Sequence, residues 1–203
     1  MNKLYPLTFV PSLKQKPWGG SRLAEVYGKP APEGVLIGES WEICGFGQDV
    51  SLVADGFLRG NTLEELIEVY MGELVGESVY ARFGNSFPLL IKFLDTREWL
   101  SVQVHPDDEM AKRYHGGFGK SEMWYIMQAD EQAEIINGLR EEVNEEDFRR
   151  SGSASEIMAA LRKKQVHKGD VFDIPAGRIH AIGPGISLCE IQQASDITYR
   201  LYD

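Results

Sequence analysis

The chain has 203 residues, enough for one medium domain that buries about 70% of its unfolded surface and needs no disulfide framework. Its 31 acidic residues against 21 basic ones give a formal net charge of -10, which argues against a nucleic-acid or anionic-membrane surface. No apolar run approaches the about 20 residues of a membrane-spanning helix. Pro6 and Pro11 break the opening segment, a poor signal peptide. Short strand-like runs bounded by Gly, Asp or Pro follow at residues 35–37, 41–44 and 51–53. The first helical region is expected over 62–80, where Leu63, Leu66, Ile67, Tyr70, Met71 and Leu74 recur at helical spacing behind a Thr62–Glu65 capping box. Strand patterns resume at 89–94 and 100–104. Asp107, Asp108 and Glu109 suit a helix start, where the helix dipole favours acids. Further strands are expected at 123–127 and 133–136, and a second helical region over 144–165, interrupted near Ser151, Gly152 and Ser153. Its later half carries Ile157, Met158 and Leu161 on one face and ends in Arg162, Lys163 and Lys164. Strands at 171–174, 187–192 and 197–202 complete the series. About ten short strands with few helices predict a mainly β protein, an antiparallel sandwich or barrel with inserted α-helices. Cys44 and Cys189 lie in apolar stretches and read as two buried thiols, which fits a cytoplasmic setting.

Three patches carry metal-binding residue types. In Ser101-Val-Gln-Val-His-Pro106, Gln103 and His105 lie two apart on a strand, so both side chains share one face. Glu122 stands at the mouth of the strand in Gly119-Lys-Ser-Glu-Met-Trp-Tyr125. In Lys168–His180, the positions Gly169, Pro175, Gly177 and His180 describe a turn, a strand, a Pro-Ala-Gly corner and a His projected back into a barrel. That third pattern resembles the second motif of the cupin superfamily, jelly-roll barrels that hold a metal on inward His and Glu side chains. The first cupin motif is only partly present, with Gln103 where its first His would stand.

With Lys16-Pro-Trp-Gly-Gly20, Gly38-Glu-Ser-Trp-Glu42, Pro88–Phe93 and the closing Tyr-Arg-Leu-Tyr-Asp203 added, the whole chain resembles the type I phosphomannose isomerases. The resemblance implies a cupin-type antiparallel jelly roll and a zinc enzyme that interconverts mannose 6-phosphate and fructose 6-phosphate. It implies one zinc ion per chain on Gln103, His105, Glu122 and His180. It places Arg200 beside the reacting sugar carbons, Lys120 beside the metal, and Ser101, Lys92 and Trp18 near the substrate. Lys92, Lys120 and Arg200, with zinc, are expected to make the pocket locally positive for a sugar phosphate. The proton between C1 and C2 has two candidate carriers, Lys120 and a zinc-bound hydroxide. Family members continue into a second, C-terminal barrel, so residues 1–203 are expected to form a single metal-binding cupin domain without it. The uncovered side makes a second copy a candidate partner.

Each assignment has a plainer alternative. A lone Gln in a strand is usually structural; its phase with His105 and the downstream His180 motif reverse that. Arg200 read alone is a strand-edge arginine. Glu39 and Glu42 are either acids behind the ligands or ordinary strand-edge carboxylates, and His115 and His167 read as surface residues. Two further functions compete: a metal-dependent cupin oxygenase, which a neutral Gln103 fits less well, and a non-catalytic sugar-binding or regulatory cupin.

Overall fold

A computed structural model describes residues 3–150 and 153–203; Ser151 and Gly152, where the break in the second helical region was expected, lie outside them. In chain order the elements are β1 (Ser12–Lys14), α1 (Arg22–Glu25), β2 (Glu39–Cys44), α2 (Leu63–Tyr70), α3 (Gly72–Val75), α4 (Glu77–Phe83), β3 (Leu89–Thr96), β4 (Val102–Val104), α5 (Asp108–His115), β5 (Glu122–Ala129), β6 (Glu134–Leu139), α6 (Glu145–Arg149), α7 (Ala154–Ala160), β7 (Leu161–Gln165), β8 (Val171–Ile174), β9 (His180–Ile182), β10 (Ile186–Gln193) and β11 (Tyr199–Tyr202). The strands form two antiparallel sheets, one ordered β1-β2-β3-β10-β5-β8 and the other β11-β4-β9-β6-β7. This is the expected mainly β, cupin-like architecture.

Period-two alternation decides what enters the space between the sheets. On β3, β5 and β10 the inward residues meet in cross-strand rows. Leu188 pairs with Leu94 on one side and Ile126 on the other, Glu190 with Lys92 and Trp124, and Gln192 with Leu90 and Glu122. The apolar row joins Ile135, Phe172, Ile182 and Ile186 in the main core. Toward the other end the same face turns polar and forms the floor of the site described below.

The first helical region keeps its capping box: Thr62 Oγ1 accepts from the Glu65 N–H at 3.1 Å, and Glu65 Oε2 accepts from the Thr62 N–H at 2.8 Å. It is three short helices rather than one, since Met71 (φ 49) and Gly76 (φ 91) leave helical backbone. Leu66 and Tyr70 pack with Val53 in a separate small core that Leu4, Leu7 and Phe9 cover. The second region needs a correction. Ser153 caps α7, but residues 161–165 are strand β7, paired with β6. Arg, Lys and Gln are good helix formers, yet the open edge of β6 offers those backbone groups a ladder, and tertiary pairing overrides weak local propensity. The runs at 35–37 and 51–53 make isolated bridges rather than strands. Cys44 and Cys189 are free thiols, Cys44 buried and Cys189 partly so. No helix among the described residues is long and apolar enough to cross a membrane.

Candidate metal centre

His105, Glu122 and His180 converge from the end of β4, the start of β5 and the start of β9, and their candidate ligand atoms all lie within 4.8 Å of one another. Strand register assembles the rest. Gln103 faces His180 across β4 and β9, and Arg200 faces Gln103 across β11 and β4, so the three form one row. The Pro-Ala-Gly corner ahead of His180 works as expected. Gly177 takes φ +82, which a side chain would strain, while its N–H donates to the His105 carbonyl at 2.9 Å. The turn thus ties one ligand's strand to the other's.

Glu122 lies between the imidazoles, its Oε2 at 3.5 Å from His105 Nε2 and its Oε1 at 3.4 Å from His180 Nε2. Gln103 Nε2 is 3.2 Å from His180 Nε2. A tetrahedral zinc with bonds of ~2.0–2.1 Å sets its donors about 3.3 Å apart, which these separations match. The far nitrogens fix the tautomers. His105 Nδ1 is 3.0 Å from the Ile197 carbonyl and His180 Nδ1 is 2.8 Å from the Arg178 carbonyl. A carbonyl only accepts, so each Nδ1 carries the proton and each Nε2 offers a lone pair to the centre. Burial pushes the His180 imidazole down to about 4, so it is neutral at pH 7. Both carboxylate oxygens of Glu122 are sealed from solvent without accepting a hydrogen bond. Burial alone would raise that carboxyl, but the Lys120 ammonium at 3.3 Å and the two imidazoles hold it well below the usual range. A buried anion with two orphaned oxygens, facing two imidazole lone pairs, is what a divalent cation satisfies. A half-turn of the Gln103 amide exchanges nitrogen for oxygen toward the same point, so it fits as a neutral fourth donor.

Above this centre opens a cavity of about 770 Å³ whose lining includes Trp18, Lys92, Ser101, Gln103, Lys120 and Arg200. Every residue expected near the substrate therefore borders one space. Its charge differs from expectation. Lys14, Lys16, Lys92, Lys120 and Arg200 are matched by Glu39, Asp49, Glu98, Glu190, Asp196 and Asp203 in the same lining. Most of these cations are paired: Lys14 with Asp49, Lys16 with Glu39, Lys120 with Glu122, and Lys92 with Glu190 at 3.0 Å. Among the described residues, Arg200 forms no ion pair or side-chain hydrogen bond, and it is exposed to the cavity. The Ser101 hydroxyl donates to Asp203, the other end of Arg200's strand.

The sequence reading missed Glu190 and left Glu39 undecided. Glu190 is 3% exposed; burial and the charge of Glu122 push its carboxyl up against the pull of Lys92, and Trp124 Nε1 donates to it at 3.1 Å. Burial would lower the Lys92 ammonium, but Glu190, Glu39 and Glu122 hold it above the ordinary lysine range. Glu39 faces the cavity beside Lys92, whereas Glu42 pairs with Lys29 at 2.7 Å and lines none of it. The one available signal was alternation: Glu190 shares the inward phase of Ile186 and Leu188 on its strand. His115 and His167 are exposed, as expected.

A model of the phosphomannose isomerase type I catalytic domain matches residues 7–135. The chain is 43% identical over 198 residues to mannose-6-phosphate isomerase of Streptococcus mutans, covering 98% of this chain and 60% of that protein. It is 42% identical over 201 residues to mannose-6-phosphate isomerase ManA of Bacillus subtilis, covering 98% of this chain and 61% of that one. The crystal structure of the mannose 6-phosphate isomerase from Bacillus subtilis superposes with a TM-score of 0.86 at 36% identity, over 98% of this chain and 61% of that chain. The chain thus spans about three fifths of the length of the curated relatives it matches. By its family match and by a fold shared with those relatives, the chain belongs to the type I phosphomannose isomerase family.

Proposed function

We propose that this chain carries the catalytic centre of an enzyme that interconverts mannose 6-phosphate and fructose 6-phosphate, with one zinc ion held by Gln103, His105, Glu122 and His180. One carboxylate, two neutral imidazoles and a neutral amide would leave the zinc site a net charge of +1, so a bound zinc would supply Lewis-acid polarisation of a sugar oxygen. The observation that carries the reading is Arg200, a guanidinium with no ion partner among the described residues, in one cross-strand row with Gln103 and His180. Moving a proton between C1 and C2 passes through a cis-enediol, and negative charge develops on the two sugar oxygens. Arg200's unused N–H donors suit those oxygens, and a preorganised donor of this kind stabilises charge without reorganising. Lys120, 3.1 Å from His105 Nε2, braces the ligand cluster and is one candidate proton carrier. Ser101, Lys92 and Trp18 remain the residues proposed to hold the substrate. Lys92 would do so as a positioned donor rather than as free positive charge, since Glu190 and Glu39 already balance it.

A coupled assay of fructose 6-phosphate formation, with metal analysis of the same sample, tests this. Turnover with about one zinc per chain supports the isomerase, given the four-donor set. Iron with oxygen uptake would indicate an oxygenase, and sugar-phosphate binding without turnover a regulatory protein. Arg200→Met is expected to keep its metal and lose about a hundredfold or more in kcat. Near-normal kcat in that variant removes Arg200 from the chemistry.

A further inference from the structure

Building on the isomerase reading, we propose that the contact between His115 and Tyr199 is a latch that positions Arg200 over the cavity. Among the described residues nothing is bonded to the guanidinium, so its direction follows from the backbone of β11. That strand is a weak support. Its four residues are all exposed, it lies at the edge of its sheet, and it pairs only with β4, with an irregularity just after Arg200. Short, exposed edge ladders open at low free-energy cost.

Side-chain contacts supply what the ladder lacks. Tyr199 Oη and His115 Nε2 are hydrogen-bonded at 2.6 Å, with ring centroids 5.8 Å apart. Consecutive strand residues point to opposite faces, so Tyr199 is directed to α5 while Arg200 is directed to the cavity. Fixing one side chain of the pair sets the roll of the strand and hence the aim of the other. His115 is a firm post because it closes α5, which is tied at both ends. Asp107 caps it through the Met110 N–H at 2.8 Å, and Gly116 ends it in left-handed backbone. Asp108 Oδ1 also accepts from the Gly119 N–H at 2.9 Å and from Gln193 Nε2 at 3.0 Å, which anchors the helix start to β10. The helix inserted between His105 and Lys120 thus reaches across to steady the strand that carries Arg200. His115 and Tyr199 are positioning residues here, acting on the chemistry only through Arg200.

The test compares Tyr199→Phe, His115→Ala and His115→Gln in the full protein, each made in the wild type and in Arg200→Met. Tyr199→Phe and His115→Ala are expected to lower kcat about tenfold, with KM for mannose 6-phosphate within about twofold and zinc content unchanged. His115→Gln, which keeps a hydrogen-bonding group in reach, is expected to recover most of the loss. In the Arg200→Met background, neither latch variant should have a further effect, the non-additivity of residues acting as one unit. Equal losses in both backgrounds, or unchanged kcat, would overturn the latch. A second readout needs no turnover: amide hydrogen exchange in residues 197–203 should speed up about tenfold in Tyr199→Phe, with β5 unaffected. Unchanged exchange there overturns the proposal even if kcat falls. Should the wild type isomerise nothing, the activity reading fails by itself and the exchange measurement alone decides the latch.

Discussion

Along β3, β5 and β10, the inward row of Leu94, Ile126 and Leu188 is followed, one pleat on, by Lys92, Trp124 and Glu190, and then by Leu90, Glu122 and Gln192. The backbone ladders are continuous across all three rows, and residues of all three are nearly fully buried. The pleat therefore decides which residues turn inward, and chemistry decides what each row does. The first row gains stability by leaving water, at about 25 cal/mol per Å² of apolar area. The polar rows lose hydration and are tolerated only because their charges face one another. Trp124 sits on the boundary, with its rings edge-on to His180 and its N–H on Glu190. What the polar end leaves over among the described residues is informative: orphaned oxygens on Glu122 and an unpaired guanidinium on Arg200.

The largest way to break this contrast is to remove a ligand. His180→Ala is expected to bring zinc below about a tenth of an equivalent per chain and to abolish isomerisation, because the remaining donors hold the metal far more weakly. Metal analysis after dialysis measures it, and a variant that still holds one equivalent takes His180 out of the ligand set. Next is Lys92→Met, which strands Glu190 and Glu39 without their shared cation. Denaturant unfolding should show a loss of about 3–5 kcal/mol, and adding Glu190→Gln should restore part of it. If the single change were neutral, the buried charges would not be balancing one another. Leu188→Ala acts on the apolar row and should cost about 2–5 kcal/mol through lost burial and a cavity. Zinc content should stay intact, which separates the two ends of the barrel. Thr62→Ala touches neither end; losing its cap should lower stability by about 1 kcal/mol, with kcat unchanged.

Much of the site was legible because it is local. Gln103 and His105 share a face by counting two residues, and His180 follows a Pro-Ala-Gly corner whose turn chemistry is written in three letters. The capping box at Thr62 was equally readable. Strands β1 and β9, three residues each, were not. Residues 161–165 misled, since their helix-forming side chains say nothing about the free edge of β6. The expected positive pocket misled for a related reason. Lys92, Lys120 and Arg200 can be counted in the sequence, but their carboxylate partners cannot be matched to them there.

The sequence by itself determined the candidate ligand types, the phase that points them inward, the turn ahead of His180, and the likeness that named a family. Only the tertiary structure decided that Lys92 is neutralised by Glu190 and Glu39, that among the described residues Arg200 alone of the cavity's cations is unpaired, and that His115 reaches Tyr199. Local spacing is fixed by covalent geometry within a few residues. The pairing of charges is fixed by cross-strand register, which joins residues about a hundred positions apart and leaves no periodic trace in the chain.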